Sequence, residues 1–576
     1  PRRLTDAGFV PFELAPAWSP DGRWIAFTSW DDTLSGGGHL WKVPARGGRP
    51  VRLTSDAGEY INPAWRSDGR ELVLARGAGE TNRGRGMVWN AWWDVVRVPS
   101  TGGRVSHVYQ VRGADDGQAN ALTNIRNQIV RPSYGPDGRI FFPVLTTAAN
   151  GTITSTLVSV RPDGSDRRSH LTFAYADEVM PSPDGKWVAF QQSDNVYLTP
   201  FPYAGTGSEP PRIDRRRGKL PVTQLSREGG LFPRWRDART LEFGSGTRYF
   251  AHRVDPDRLA AAPLARADSV RRARTDTVAV RTDSIVHPDT AAAPARDSVQ
   301  VRDTVVTERS TLTAASPTDT AEIRLAVPAD VPSGTIALIN ARIITLANRR
   351  VIDRGTVVVR RGRITCVGEC ATTGADSVVD LAGATIVPGF IDVHSHNFRE
   401  HRGIIPQHNY ETAIFLAYGV TSTMDPSMWS QNIFPTAEMT DAGLIVGSRV
   451  FSTGDPLYAW DGSRQEDMSS YEVAEASINR LASWGAVSLK QYLQPRRDQR
   501  QWVTDIARKR GLMVTAENNE LEYVIGMLMD GHTGFEHPMS YVPMYGDLST
   551  FIGKANAVYS PTFMVGGPGP WNEEYF

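Results

Sequence analysis

The chain has 576 residues and carries 63 basic and 63 acidic side chains, for a formal net charge of zero. That length is too great for a single domain, and the charge balance offers no footprint for nucleic acid or for an anionic membrane. No apolar run is long enough to span a bilayer; the longest candidate, 336–346, is interrupted by Asn340 and Arg342.

Residues 1–250 repeat a unit made of proline, an aromatic, Asp-Gly and an apolar strand. It reads Pro16-Ala17-Trp18-Ser19-Pro20-Asp21-Gly22 and recurs at Pro63-Ala64-Trp65-Arg66-Ser67-Asp68-Gly69 and at Pro132-Ser133-Tyr134-Gly135-Pro136-Asp137-Gly138. Pro181-Ser182-Pro183-Asp184-Gly185 follows, and Pro233-Arg234-Trp235-Arg236-Asp237 is a degenerate fifth copy. Asp21 and Asp68 are as far apart as Asp137 and Asp184, whereas the longer interval between Asp68 and Asp137 predicts an insertion. Asp-Gly between short apolar strands marks a tight turn, because glycine accepts positive φ. Several short strands per repeat predict propeller blades with the aromatics packed between them. Pro1-Arg2-Arg3-Leu4-Thr5 echoes Pro50-Val51-Arg52-Leu53-Thr54, so the chain is expected to open at the end of a repeat. These repeats resemble the TolB-like (WD40-like) propeller family. The resemblance implies an incomplete propeller of about five blades over 1–250, a periplasmic or secreted setting, and a role in binding a substrate or an envelope partner.

The segment 251–333 changes character. No Phe, Trp or Tyr occurs between Phe250 and Phe390, and 257–320 also lacks Gly and Lys. Stretches such as Thr277-Val278-Ala279-Val280 and Ser298-Val299-Gln300-Val301 are candidate closing strands. The rest of this linker has too little apolar surface to order itself, and its charges are expected to be solvated.

From 334 to 384, short strands separated by turns predict a small β-sandwich segment. Cys366 and Cys370 lie in it and are the chain's 2 cysteines. They either pair across a strand end or remain thiols, and the thiol reading is favoured; two cysteines do not make a Cys-based zinc site.

From 385 to 576, strands alternate with helix-length segments, which predicts a parallel sheet. The first strand ends in Ile391-Asp392-Val393-His394-Ser395-His396. Residues i and i+2 of a strand share a face, so His394 and His396 can reach one metal ion, and imidazole suits zinc and similar cations. Later strands are expected at Val420-Thr421-Ser422-Thr423-Met424-Asp425, at 444–451, at Ala486-Val487-Ser488-Leu489-Lys490, at 512–517, at Gly534-Phe535-Glu536-His537 and at 557–561. Helices are expected over Tyr471–Trp484 and Arg497–Arg510. Seven strands fit an incomplete eight-stranded TIM-like α/β barrel.

The run Val387-Pro388-Gly389-Phe390-Ile391-Asp392-Val393-His394-Ser395-His396, with the small β-segment before it, resembles the amidohydrolase superfamily. The fold class implied is multidomain: an all-β propeller, a small β-sandwich segment and an incomplete barrel. The resemblance places a lysine, often carboxylated and bridging two metals, at the end of the fourth strand, where Lys490 stands. It expects histidines ending strands five and six. His537 matches the sixth, whereas the fifth ends in Glu517, a substitute carboxylate ligand that leaves one or two ions open. The implied cofactor is a divalent metal, with zinc the first choice. The family's general acid/base lies on an eighth strand that the sequence does not contain, so 1–576 alone is expected to be inactive. His532 is expected to be structural, and His401 and His408 to lie in loops. Tyr492 shares strand parity with Lys490 and is a candidate to hydrogen-bond a developing oxyanion. Arg496 and Arg497 are candidate clamps for a substrate carboxylate, weighed against a plain helix-start role.

The chemistry implied is hydrolysis of C–N bonds in amides, cyclic amides or peptides. Two readings compete with it. One is a non-catalytic envelope scaffold with a degenerate barrel, which Glu517 favours. The other keeps the metal site and turns it to ester, lactone or deamination chemistry.

Overall fold

The computed structural model describes residues 4–5, 12–30, 38–79, 92–112, 130–147, 153–174, 176–202, 209–215, 220–254, 319–396, 410–458, 468–492, 496–517, 521–538 and 545–562. Among them, five antiparallel sheets follow one another through the repeat region. The first comprises Phe12–Trp18, Trp24–Trp30, Leu40–Pro44 and Val51–Arg52, in that order. The third gains a strand, Arg212–Ile213, which pairs parallel to Arg168–Phe173. The fifth, Leu231–Trp235, Thr240–Ser245 and Arg248–Arg253, is completed by Asp319–Glu322 from within the 251–333 segment. The candidate closing strands near 277–280 and 298–301 lie outside the described residues.

The repeat motif has a shared physical basis in two of its turns. Ser19 Oγ donates to Asp21 Oδ1 at 2.6 Å and accepts the Trp24 N–H at 2.9 Å, with Gly22 at φ 68°. Ser182, Asp184 and Trp187 repeat this at 2.6 and 3.0 Å, with Gly185 at φ 67°. The apolar cores lie between successive sheets: Val73, Trp93 and Val95 of the second pack with Ile140, Phe142 and Val158 of the third. Neighbouring units are also stitched by their aromatics. The Trp65 indole N–H donates to Ala17 O at 3.0 Å, and Trp235 donates to Met180 O at 3.1 Å, the equivalent position one unit earlier.

The small sheet runs in the order Arg363–Gly368, Val351–Arg360, Thr335–Ile344, Ser377–Asp380. Here Cys366 and Cys370 form a disulfide, which corrects the thiol expectation. The strand ends at Gly368, whose φ of 112° turns the chain back and brings the two Cα atoms to 6.0 Å, within bridging reach.

The parallel strands form two arcs. β1 (Phe390–Asp392), β2 (Val420–Asp425) and β3 (Arg449–Ser452) make one. β4 (Ser488–Gln491), β5 (Met513–Glu517), β6 (Gly534–Glu536) and β7 (Val558–Ser560) make the other. A parallel bridge between Leu457 and Gln491 joins them, and the described residues form no closed barrel. Helices α1 (Tyr410–Ala417), α2 (Ser430–Asp441), α3 (Tyr471–Trp484), α4 (Arg497–Arg510), α5 (Leu521–Asp530) and α6 (Gly546–Lys554) alternate with these strands. Ser470 caps α3 through the Val473 N–H, and Gly485 at φ 107° ends it. β3 starts later than the sequence suggests. The Leu444 and Ile445 N–H groups turn back to Met439 O at the end of α2, and Gly447 lies so close to Thr412 that a Cβ would sit 2.6 Å from the Thr412 Cβ. Among the described residues no helix is long and apolar enough to cross a membrane.

Candidate functional site

The second arc sorts its residues by parity. Leu489 and Val514 join the apolar core shared with α3 and α4, and Phe535 packs with Val524, Leu528 and Ile552. The alternate positions are polar: Lys490 lies opposite Thr515, and Glu517 opposite Glu536, which lies opposite Ser560. One face of these strands is thus greasy and covered by helices, and the other carries titratable groups.

The two N-terminal histidines meet this row. They lie just beyond β1, not within it. The His394 N–H is turned to Asp392 Oδ1 at 3.0 Å, and the Ser395 N–H bonds Met424 O at 2.9 Å. The His394 and His396 ring centroids are 5.2 Å apart, and the His394 and His537 centroids 4.9 Å. Each ring is fastened at Nδ1: His394 to Glu536 Oε2 at 2.6 Å, His396 to Asp425 Oδ1 at 3.3 Å, and His537 to Thr562 Oγ1 at 2.7 Å. His537 Nε2 faces Glu517 Oε1 at 3.1 Å. His537 sits at φ 71°, a left-handed conformation that costs a non-glycine residue about 1 kcal/mol and ends β6.

Lys490 is 1% exposed, and burial pushes its amine down to about 8 against the opposing pull of Glu536 and Glu517. Both carboxyls are raised by burial, yet settle below the usual range. His537 and Lys490 lower Glu517, and His394 and Lys490 lower Glu536. Burial lowers the His394 imidazole. Thr515 Oγ1 donates to the second Glu536 oxygen at 2.6 Å. The Tyr492 ring lies 5.4 Å from Lys490 Nζ and stacks on Tyr458 at 4.8 Å. Its hydroxyl bonds Ser427 and Glu517, and burial with the Glu517 charge keeps it protonated.

The donor types suit a divalent ion, and the His394–His396 and His394–His537 ring pairs lie 5.2 and 4.9 Å apart. With metal–nitrogen bonds of about 2.0–2.1 Å, two imidazoles on one tetrahedral ion have centroids about 5 Å apart. Outer partners on Nδ1 leave Nε2 as the ligating nitrogen, the arrangement metal-binding histidines ordinarily use. The donors do not stand converged: among the described residues no three His, Cys, Asp or Glu side chains form a metal cluster.

Arg496 and Arg497 are committed elsewhere. Arg496 Nε donates to Asp498 at 3.0 Å and Arg497 Nε to Asp530 at 2.8 Å, so both stand at the start of α4 in the helix-start role. His532 is buried, with Nδ1 on Met527 O and Nε2 facing the Gln491 amide, away from the centre. His401 and His408 lie outside the described residues. Sequence reasoning missed Glu536, Thr515, Asp425 and Tyr458. The register opposite Glu517 was the available signal for Glu536.

Similarities to known proteins cover parts of the chain. The chain is 28% identical over 101 residues to the 5'-deoxyadenosine deaminase of Methanococcoides burtonii, covering 17% of this chain and 20% of that protein. It is 40% identical over 45 residues to the Methanosarcina mazei protein of the same name, covering 8% and 10%. The chain therefore spans a fifth or less of these curated relatives. Similar solved structures include a Xaa-Pro dipeptidase with bound methionine (15% identity, TM-score 0.34, 40% of this chain and 67% of that one). TolB from Acinetobacter baumannii is another (15% identity, TM-score 0.28, 42% and 52%). No protein-family model matches the chain.

Proposed function

We propose that this chain carries the centre of a metal-dependent hydrolase acting on C–N bonds of amides, cyclic amides or peptides, with the propeller presenting a substrate or an envelope partner. The observation that carries this reading is the set of three imidazoles, each tied at Nδ1, with the His394 ring 5.2 Å from that of His396 and 4.9 Å from that of His537, whose Nε2 faces Glu517. His394, His396 and His537 would hold a divalent ion, zinc by preference, with Glu517 and Lys490 completing its shell. An amine lowered to about 8 is partly unprotonated near neutral pH, which suits Lys490 to carboxylation and an anionic role. A divalent ion in such a site supplies Lewis acidity and a more acidic water. Tyr492, kept a phenol, has a proton to donate to an oxyanion. Tyr458 and Tyr492 offer stacked rings as one wall. The acid that serves the leaving nitrogen is assigned to no described residue. A periplasmic or secreted setting belongs to the same proposal.

Elemental analysis of the purified chain tests it. One or two divalent ions per chain are expected, lost in H394N and H537N. A chain that retains no divalent ion after zinc loading and desalting sinks the hydrolase and leaves the scaffold reading.

A further inference from the structure

α3 sends one charged side chain out of the barrel arcs and into the propeller. Arg480 Nη2 lies 2.9 Å from Asp194 Oδ2, and Nη1 lies 3.0 Å from Asp455 Oδ2. The arginine and Asp194 side chains are each 7% exposed, and that of Asp455 is 1% exposed. Asp194 occupies the hairpin turn between Trp187–Gln192 and Asn195–Pro200 of the fourth sheet. Gly229 clears the passage, since a Cβ there would lie 2.8 Å from Arg480 Cδ. One helix residue away, Asn479 Nδ2 donates to Glu228 Oε1 at 3.1 Å across the same junction.

Asp455 begins the short segment that forms the wall of the candidate centre. Ser430 Oγ donates to its Oδ2 at 2.7 Å. Two residues on, the Leu457 N–H donates to Lys490 O at 2.8 Å, and Leu457 O accepts the Tyr492 N–H at 2.9 Å. Tyr458 then stacks on Tyr492. The segment is pinned at one end by an arginine whose other half is spent on the propeller, and at the other by the strand carrying Lys490. A planar guanidinium holds two desolvated carboxylates in a fixed fork that an ammonium on a flexible stem does not reproduce, and removing either acid disturbs the balance of a buried charge group.

We infer that Arg480 is a positioning residue that couples the propeller to the centre: the seating of the Asp194 turn fixes, through Asp455, the Tyr458 wall. This goes beyond the proposed hydrolysis and needs neither metal nor substrate for its test.

Hydrogen–deuterium exchange read by mass spectrometry on the full chain tests it, comparing wild type with D194N and R480K. D194N changes only the propeller end. It is expected to speed amide exchange over 453–458 by about tenfold while leaving α4 unchanged, as for a local opening. R480K, which keeps the charge but loses the bridge, is expected to do the same and serves if D194N does not fold. Exchange over 453–458 within about twofold of wild type in the folded variant, or acceleration spread evenly over the arcs, overturns the inference and leaves the triad a plain packing contact.

Discussion

Glu536 shows how much one side chain outside the predicted set decides. It holds His394 through one oxygen and is itself held by Thr515 through the other, so it sets which His394 nitrogen is presented. E536Q keeps the shape and removes the charge. Zinc affinity, measured against a chromophoric chelator, is expected to fall by about 10–100-fold, the usual effect of losing an outer partner. His532 gives a pH signature away from the centre. Its imidazole is lowered by burial from 6.5 to about 4, so below pH 6.5 the unfolded chain takes up a proton that the folded one refuses. Its contribution is complete above pH 6.5 and is lost as the pH falls toward 4. The amount is on the order of 3 kcal/mol. Urea unfolding of H532Q across that range is expected to show a flatter pH dependence than wild type. His394 and His396 could be named from strand parity, and Lys490, Glu517 and His537 from the positions at strand ends that the family resemblance implies. Glu536 was passed over, because neighbours on a strand ordinarily point to opposite faces and His537 already claimed the inner one. Glu536 and His537 both turn to the centre only because the backbone flips to positive φ at His537, a change with no local sequence mark.

The repeat units were legible as elements because each Ser/Asp/Gly turn is local: its hydrogen bonds span five residues or fewer. What lies between units was less so. The indole bond from Trp235 to Met180 O joins positions one unit apart, and W235F removes it while keeping most of the ring. The expected loss is about 1 kcal/mol of stability, read as a lower urea midpoint with an unchanged slope. The start of β3 at Arg449 was misplaced for a related reason. Residues 444–448 have strand-like apolar content, but the Leu444 and Ile445 N–H groups are claimed by Met439 O at the end of α2, a contact that depends on how the helix terminates. The disulfide likewise depended on a turn at Gly368 that the spacing alone left open.

Over the whole molecule, two kinds of seam are in use. Successive sheets meet through apolar side chains such as Trp93 and Phe142, whereas the repeat sheets meet the parallel arcs through buried charge at Asp194, Arg480 and Asp455. The first kind is written into a period that the eye can find; the second joins residues with nearly three hundred positions between them and leaves no pattern. The stitching of one unit to the next also has a direction. In both tryptophan bonds the later unit brings the donor and the earlier one the acceptor. A ribosome therefore delivers the waiting carbonyl first, and each newly emerged blade can dock on a finished predecessor without holding its indole idle.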